Sequence, residues 1–242
     1  MHFEARAAEY ARARPPYPPA LWAAVRRRGV LRPGRRALDL GAGTGQATGP
    51  LLAAGLSVAA VEPGPRLAAL LRAAHPAATV LVARAEDVDL PAGGFDLAVA
   101  ATAIHWMDLD VVLPKLHRAL TADGTFLVWR TVFGDPAVPT PFRERVARIV
   151  RERGAPRRSG PDAEDPVATA AALTRTGLFS ADGTAVLRWS VELDAQQVRG
   201  LFGTFSDWTG EEVDRAAAAV LDLGGRVVEH YRSWLIALRP AP

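Results

Sequence analysis

The sequence predicts an α/β fold with a largely parallel sheet covered on both faces. Three observations carry this. Short apolar runs at 37–40, 58–61, 79–83, 97–101 and 125–129 read as strands buried on both sides. Helix-compatible segments at 46–54, 65–74 and 109–120 lie between several of them, which makes βαβ units. The first run passes through Gly41, Gly43 and Gly45 directly into the first of these segments, as a strand, a tight turn and a helix do. Crossovers in such units are right-handed, and ligands bind beyond the carboxyl ends of the strands. Asp39 to Gly45, Glu62, Ala85–Glu86 and Ala101 to Trp106 all fall at or beyond those ends. Four stretches distant in sequence are therefore expected along one edge.

Taken in order, Ala5 to Arg14 favours helix and Pro15 and Pro16 stop it. Pro19 suits the first turn of a helix running to about Arg28, and Gly29 to Arg35 turns into the first strand. After the fifth run the rhythm breaks. Gly134-Asp135-Pro136 and Pro139-Thr140-Pro141 mark turns, Phe142 to Arg153 is a helix candidate, and Gly154 to Pro166 reads as a polar, mobile loop. Thr184 to Leu193 alternates, with Leu187, Trp189, Val191 and Leu193 on one side. Helices are expected at about 194–203 and 210–222, and a last strand over Val227 to Leu238. Because these late strands complete the sheet, a single domain over 1–242 is expected. Its parts are N-terminal helices (1–34), a core (35–131), inserted helices (132–180) and C-terminal strands and helices (181–242).

Composition narrows the classes. A chain of 242 residues with 49% hydrophobic content suits one sizeable core. No window approaches 18 consecutive apolar residues, and the start Met1-His2-Phe3-Glu4-Ala5-Arg6 lacks an apolar signal core, so a cytoplasmic protein without a membrane partner is expected. The absence of cysteine excludes disulfides, thiolate metal sites and a Cys nucleophile, and no metal site is expected. Net charge is +3, carried almost wholly by Arg, with Lys115 the only lysine. The clusters Arg26-Arg27-Arg28, Arg35-Arg36 and Arg157-Arg158 are not interleaved with aromatics, and acids are spread throughout, so no nucleic-acid partner is expected.

The glycine stretch is not the nicotinamide fingerprint, because Gln46 stands where G-x-G-x-x-G needs its third glycine. Asp39-Leu40-Gly41-Ala42-Gly43-Thr44-Gly45 instead resembles the acid-x-G-x-G-x-G motif of class I S-adenosylmethionine-dependent methyltransferases. Glu62 ends the second apolar run about 20 residues after the loop, the distance at which an acid reaches ribose hydroxyls. Val82-Ala83-Arg84-Ala85-Glu86-Asp87 resembles the family's adenine segment, with Arg84 where many members have Asp. Phe95-Asp96-Leu97 before an apolar strand is typical of the family. Ala103-Ile104-His105-Trp106 is similar to a narrower, trans-aconitate-methyltransferase-like group of small-molecule enzymes. Tyr10-x-x-x-Arg14-Pro-x-Tyr17-Pro resembles a segment that folds over the cofactor in one group; a helix packed on the sheet edge is the alternative.

The resemblance implies a Rossmann-like, doubly wound, mostly parallel seven-stranded sheet with an antiparallel C-terminal hairpin. The N-terminal and inserted helices would form a lid. It implies S-adenosylmethionine as cofactor and S-adenosylhomocysteine as product. The cofactor residues would be Asp39, Gly41, Ala42, Gly43, Gly45, Gln46, Glu62, Pro63, Ala85, Glu86, Ala101 and Thr102. His105 and Trp106 would lie at the reacting centre, His105 as general base if the acceptor is a hydroxyl. Tyr10, Arg14, Tyr17, Phe202, Phe205 and Trp208 are the further acceptor-side candidates, the last three equally readable as helix packing. The expected function is methyl transfer to an O, N or S nucleophile of a small molecule, by a monomer or homodimer. The alternatives are a methyltransferase acting on RNA or protein, or a non-catalytic S-adenosylmethionine-binding protein.

Overall fold

The structure is a computed structural model that describes residue 9, residues 12–153 and residues 164–242. Seven strands form one sheet in the order β3-β2-β1-β4-β5-β7-β6. Helix α1 (Pro19–Arg27) starts as expected: Pro18 is extended and Pro19 occupies the first turn, where its missing N–H costs nothing. Its buried residues Leu21, Trp22, Ala24 and Val25 follow helical spacing. The parallel half comprises β1 (Arg36–Leu40), α2 (Thr48–Ala53), β2 (Ser57–Val61), α3 (Pro65–Ala74), β3 (Thr79–Leu81), β4 (Phe95–Ala101), α4 (Leu109–Ala119) and β5 (Leu120–Phe133). β1 pairs in parallel with β2 and β4, β2 with β3, and β4 with β5. Strand order reverses beside β1, so the crevice beyond β1 and β4 is the switch point where ligands of such sheets bind.

Several boundaries differ from the reading of the sequence, among them that of β6 (Phe179–Asp194), which begins at Phe179 rather than Thr184. β3 stops at Leu81 rather than at residue 83. β5 begins at Leu120, five residues before the predicted run, because the register slips between Phe95↔Leu120 and Leu97↔Thr125 and Thr121 to Gly124 bulge from the ladder. The bulge carries Asp123 and Gly124, residue types common in turns.

The second half runs α5 (Pro141–Glu152), α6 (Pro166–Thr174), β6 (Phe179–Asp194), α7 (Ala195–Phe202), α8 (Gly210–Asp222) and β7 (Arg226–Pro240). β7 lies between β5 and β6, the antiparallel C-terminal hairpin of an otherwise parallel Rossmann-like sheet. β6 is the edge strand and keeps the predicted alternation, with Leu187, Trp189, Val191 and Leu193 turned inward. α6 has no predicted counterpart of its own. It is rich in alanine and buries only Leu173, so it shows no apolar stripe. Of the polar stretch predicted after Arg153, the structure describes Glu164 onward.

The described chain forms two compact units. The larger comprises Tyr17–Thr131, Pro161–Leu187 and Ser233–Pro242; the smaller falls within Met1–Pro16, Val132–Gly160 and Arg188–Arg232. The larger unit packs Leu21, Trp22, Leu51, Leu97, Val99, Leu127, Trp129 and Leu235 around one face of the sheet. The smaller packs Phe142, Val146, Ile149, Val198, Leu201, Phe202, Val220 and Tyr231 together. Its helices start on side-chain caps: Thr140 accepts from Arg143 N, while Asp194 and Thr209 each complete a capping box. Among the described residues, no helix is long and apolar enough to cross a membrane.

Candidate active site

The glycine turn after β1 is a left-handed backbone three times over: φ is +67° at Gly41, +58° at Gly43 and +92° at Gly45. The three are not equivalent. A Cβ at Gly41 would lie 2.6 Å from Ala103 Cβ, and one at Gly45 would run into the His75 ring. Those two glycines serve close packing. A Cβ at Gly43 would meet nothing within 4 Å, so the turn presents bare main chain to open space there. The turn is tied down by Gly41 N and Ala42 N, which donate to Val61 O at 2.8 and 3.0 Å. Ala42 is buried beneath it and Gln46 is half-buried in its last residues.

Two acids flank this turn. Asp39 is fully buried in β1; its Oδ2 accepts from Thr48 Oγ1 at 2.6 Å, and its Oδ1 has no hydrogen-bond partner among the described residues. Burial lifts its carboxyl from the usual 3.8 to about 7, and the charge of Glu62 adds to this; the Thr48 hydroxyl works the other way. Glu62, at the end of β2, is 6% exposed, so it is not a solvated strand end. Its Oε2 accepts from Gly43 N and its Oε1 from Gly64 N, both at 2.8 Å. A carboxylate is an acceptor-only group, the kind of partner a diol requires. Half-buried Pro63 sits between Glu62 and Gly64.

The third stretch is committed internally. Glu86 accepts from Arg84 Nε at 3.2 Å and from Asp108 N at 2.9 Å, and the hydrogen bond from Arg84 holds its carboxyl down at about 2. Lys115 donates to the Glu86 carbonyl. Glu86 therefore pins the loop after β3 to the start of α4. Ala85 beside it is buried.

The fourth stretch leaves β4 at Ala101 in a strained turn. Thr102 is the non-glycine residue with positive φ (+58°) among those described; its N–H donates to Trp129 O at 2.7 Å and its hydroxyl pairs with Tyr17 Oη at 3.0 Å. Tyr17 stands edge-on to Trp129, with ring centroids 5.6 Å apart. A 3₁₀ turn, Ile104–Trp106, follows and presents His105 and Trp106 to the surface, their rings 4.7 Å apart. His105 Nδ1 lies 2.8 Å from Arg130 Nη1. Both border a cavity of about 240 Å³ beyond β4 and β5, walled by Ile104, Met107, Trp129 and Trp234.

The remaining acceptor-side candidates fall in the smaller unit. Arg14 stacks over Phe133 and Phe205, 4.9 Å from each ring, and donates to Thr204 O at 3.3 Å. Phe202 is buried in that unit's core, with Phe205 and half-buried Trp208 packed on it, the arrangement expected of helix packing. Tyr10 lies outside the described residues. The sequence reading missed Thr48, Gly64 and Arg130, and also Tyr231, whose buried hydroxyl has no partner among the described residues.

Residues 38–128 match a family model described as a methyltransferase domain. Over these residues the chain is similar to methyltransferase domains. An uncharacterized methyltransferase of Mycobacterium tuberculosis is 38% identical over 134 residues, 54% of this chain and 53% of the relative. The chain thus spans about half the length of the curated relatives it matches. The "Putative Type II Methyltransferase" of Anaeromyxobacter dehalogenans is 28% identical in its solved structure, with a TM-score of 0.66 over 95% of this chain and 99% of that one. The geranyl diphosphate C-methyltransferase of Streptomyces coelicolor, solved with S-adenosylhomocysteine, shares the fold at 12% identity, with a TM-score of 0.54 over 92% and 79%.

The residues of the turn fit S-adenosylmethionine, which brings an ammonium and a ribose diol. The orphaned Asp39 Oδ1 complements the ammonium, the open main chain at Gly43 leaves room for the ligand, and the Glu62 carboxylate at the end of β2 is the acceptor type a diol needs.

Proposed function

We propose that the protein transfers a methyl group from S-adenosylmethionine to a small-molecule acceptor with an O, N or S nucleophile. The observation that carries this reading is the turn at Gly43: bare main chain open to a ligand, between a buried acid with an orphaned oxygen and a carboxylate that holds the turn's own amides. The sulfonium supplies an already activated methyl group. The chain's own work is to bind, to align and to exclude water. Asp39, Gly41, Ala42, Gly43, Gly45 and Gln46 hold the amino-acid end in this reading, with the backbone near Ala101 and Thr102 reaching the same end, Glu62 and Pro63 the ribose, and Ala85 and Glu86 the adenine side.

His105 and Trp106 then border the acceptor, as in the trans-aconitate-methyltransferase-like group, and Tyr17 closes over Thr102 as part of an N-terminal cover. The cavity supports a small acceptor: it is mostly apolar, with a few polar groups at one end. Calorimetry with S-adenosylmethionine, S-adenosylhomocysteine and NAD tests the cofactor half. The first two are expected to bind and NAD not to. Binding of NAD without either sulfur compound overturns the reading.

A further inference from the structure

Arg130 lies within β5, and His105 lies in the 3₁₀ turn beyond β4. Ala101 of β4 is in register with Trp129 of β5, so the residue after Trp129 lies beside the turn that follows Ala101. Arg130 Nη1 reaches His105 Nδ1 at 2.8 Å, and Arg130 Nη2 lies 3.9 Å from Glu164 Oε1. A guanidinium is a donor only and stays protonated at every accessible pH. The Nδ1 atom it reaches must therefore be the accepting nitrogen of the ring, and the ring's proton sits on Nε2.

We infer that Arg130 is a positioning residue that locks His105 as the Nε2–H tautomer, so that the ring does not serve as the base that takes a proton from the acceptor. One lone pair of the neutral ring is held by Arg130 and the other nitrogen already carries hydrogen. For His105 to act as base through Nε2, the ring must first move its proton to Nδ1, where N–H would face N–H. This rests on the methyl-transfer reading for its consequence, though not for the tautomer itself.

The test is long-range ¹H–¹⁵N correlation of the imidazoles in the full chain at alkaline pH, with His105 assigned by the signals missing in His105→Gln. The wild type is expected to show one tautomer at His105, with Nε2 protonated. Arg130→Lys keeps a cationic donor and should keep that tautomer. Arg130→Met and Arg130→Gln should give a mixed population, the latter because its amide oxygen can accept from Nδ1–H. Melting temperature is measured on each, and only folded variants are compared. A wild type with Nδ1 protonated overturns the inference whatever the variants do. So does a folded Arg130→Met whose His105 nitrogens match the wild type. Calorimetry with S-adenosylmethionine is run on the same samples. Failure to bind it would sink the cofactor reading while leaving the tautomer result standing.

Discussion

Asp39→Asn is expected to act in opposite directions on stability and on cofactor binding. The carboxyl of Asp39 titrates at about 7 in the folded protein against 3.8 when unperturbed, chiefly through burial. The folded state therefore holds this proton more tightly than the unfolded chain. The contribution of this group to stability is greatest below its unperturbed value of 3.8, where both states are protonated, and falls as pH rises towards 7, where the unfolded chain has ionised and the folded one resists. Above 7 the full penalty applies, on the order of 4 kcal/mol at 1.36 kcal/mol per unit. Asparagine keeps an oxygen for the Thr48 hydroxyl and carries no charge, so the variant escapes the penalty. Urea denaturation of both proteins at pH 4.5 and pH 8 reads this: the variant should gain on the wild type by about 2–4 kcal/mol between the two conditions. The same variant should bind S-adenosylmethionine more weakly, because the ammonium loses its anion. Wild-type binding near pH 6.5 should release close to one proton, measured by calorimetry in two buffers of different ionisation enthalpy. A pH-independent stability difference together with proton-neutral binding would refute the reading of Asp39 as a buried acid awaiting a cation.

The two outer features of the turn separate fold from binding. Gly43→Ala should fold, at a cost of about 1–2 kcal/mol for its positive φ, and lose cofactor binding. Gly41→Ala, whose methyl meets Ala103, should instead lower the melting temperature more steeply; equal behaviour of the two would contradict the geometry. Glu62→Gln faces an amide N–H₂ towards one of two backbone donors, so stability should drop by about 1–3 kcal/mol along with cofactor affinity, read by thermal melts and calorimetry. Tyr17→Phe removes the 3.0 Å bond to Thr102 and should weaken cofactor binding by about 0.5–1.5 kcal/mol; an unchanged Kd would place Tyr17 outside the cofactor edge.

The parallel half of the fold was legible because its strands are buried on both faces, which leaves no choice of period and few choices of order. Bounds failed where local chemistry imitated something else. Thr121 to Gly124 contain the Asp and Gly of a turn, yet they bulge from a strand that begins at Leu120. Helix α6 passed unnoticed because alanine carries no signal of which face is inside. The glycine turn was legible as a motif, though not in its division of labour. Three glycines at alternate positions look alike in sequence. Only the neighbours Ala103 and His75, from elements far along the chain, show that two of them serve packing and one faces open space.

The same limit governs the acids and the histidine. Glu62 stood out by its distance from the glycine loop, but its backbone partners did not: a strand end beside a positive-φ turn faces unsatisfied amides, and Gly43 and Gly64 draw the carboxylate inward. His105 was expected to be a base if the acceptor is a hydroxyl. The tautomer proposed above turns on Arg130, 25 residues later, which sequence spacing does not single out; the parallel register of β4 on β5 brings the two together. Which ring nitrogen carries the proton is thus a property of strand pairing. A base assignment read from a motif has to wait for the register, because the neighbour that fixes the tautomer comes from the next strand rather than from the motif itself.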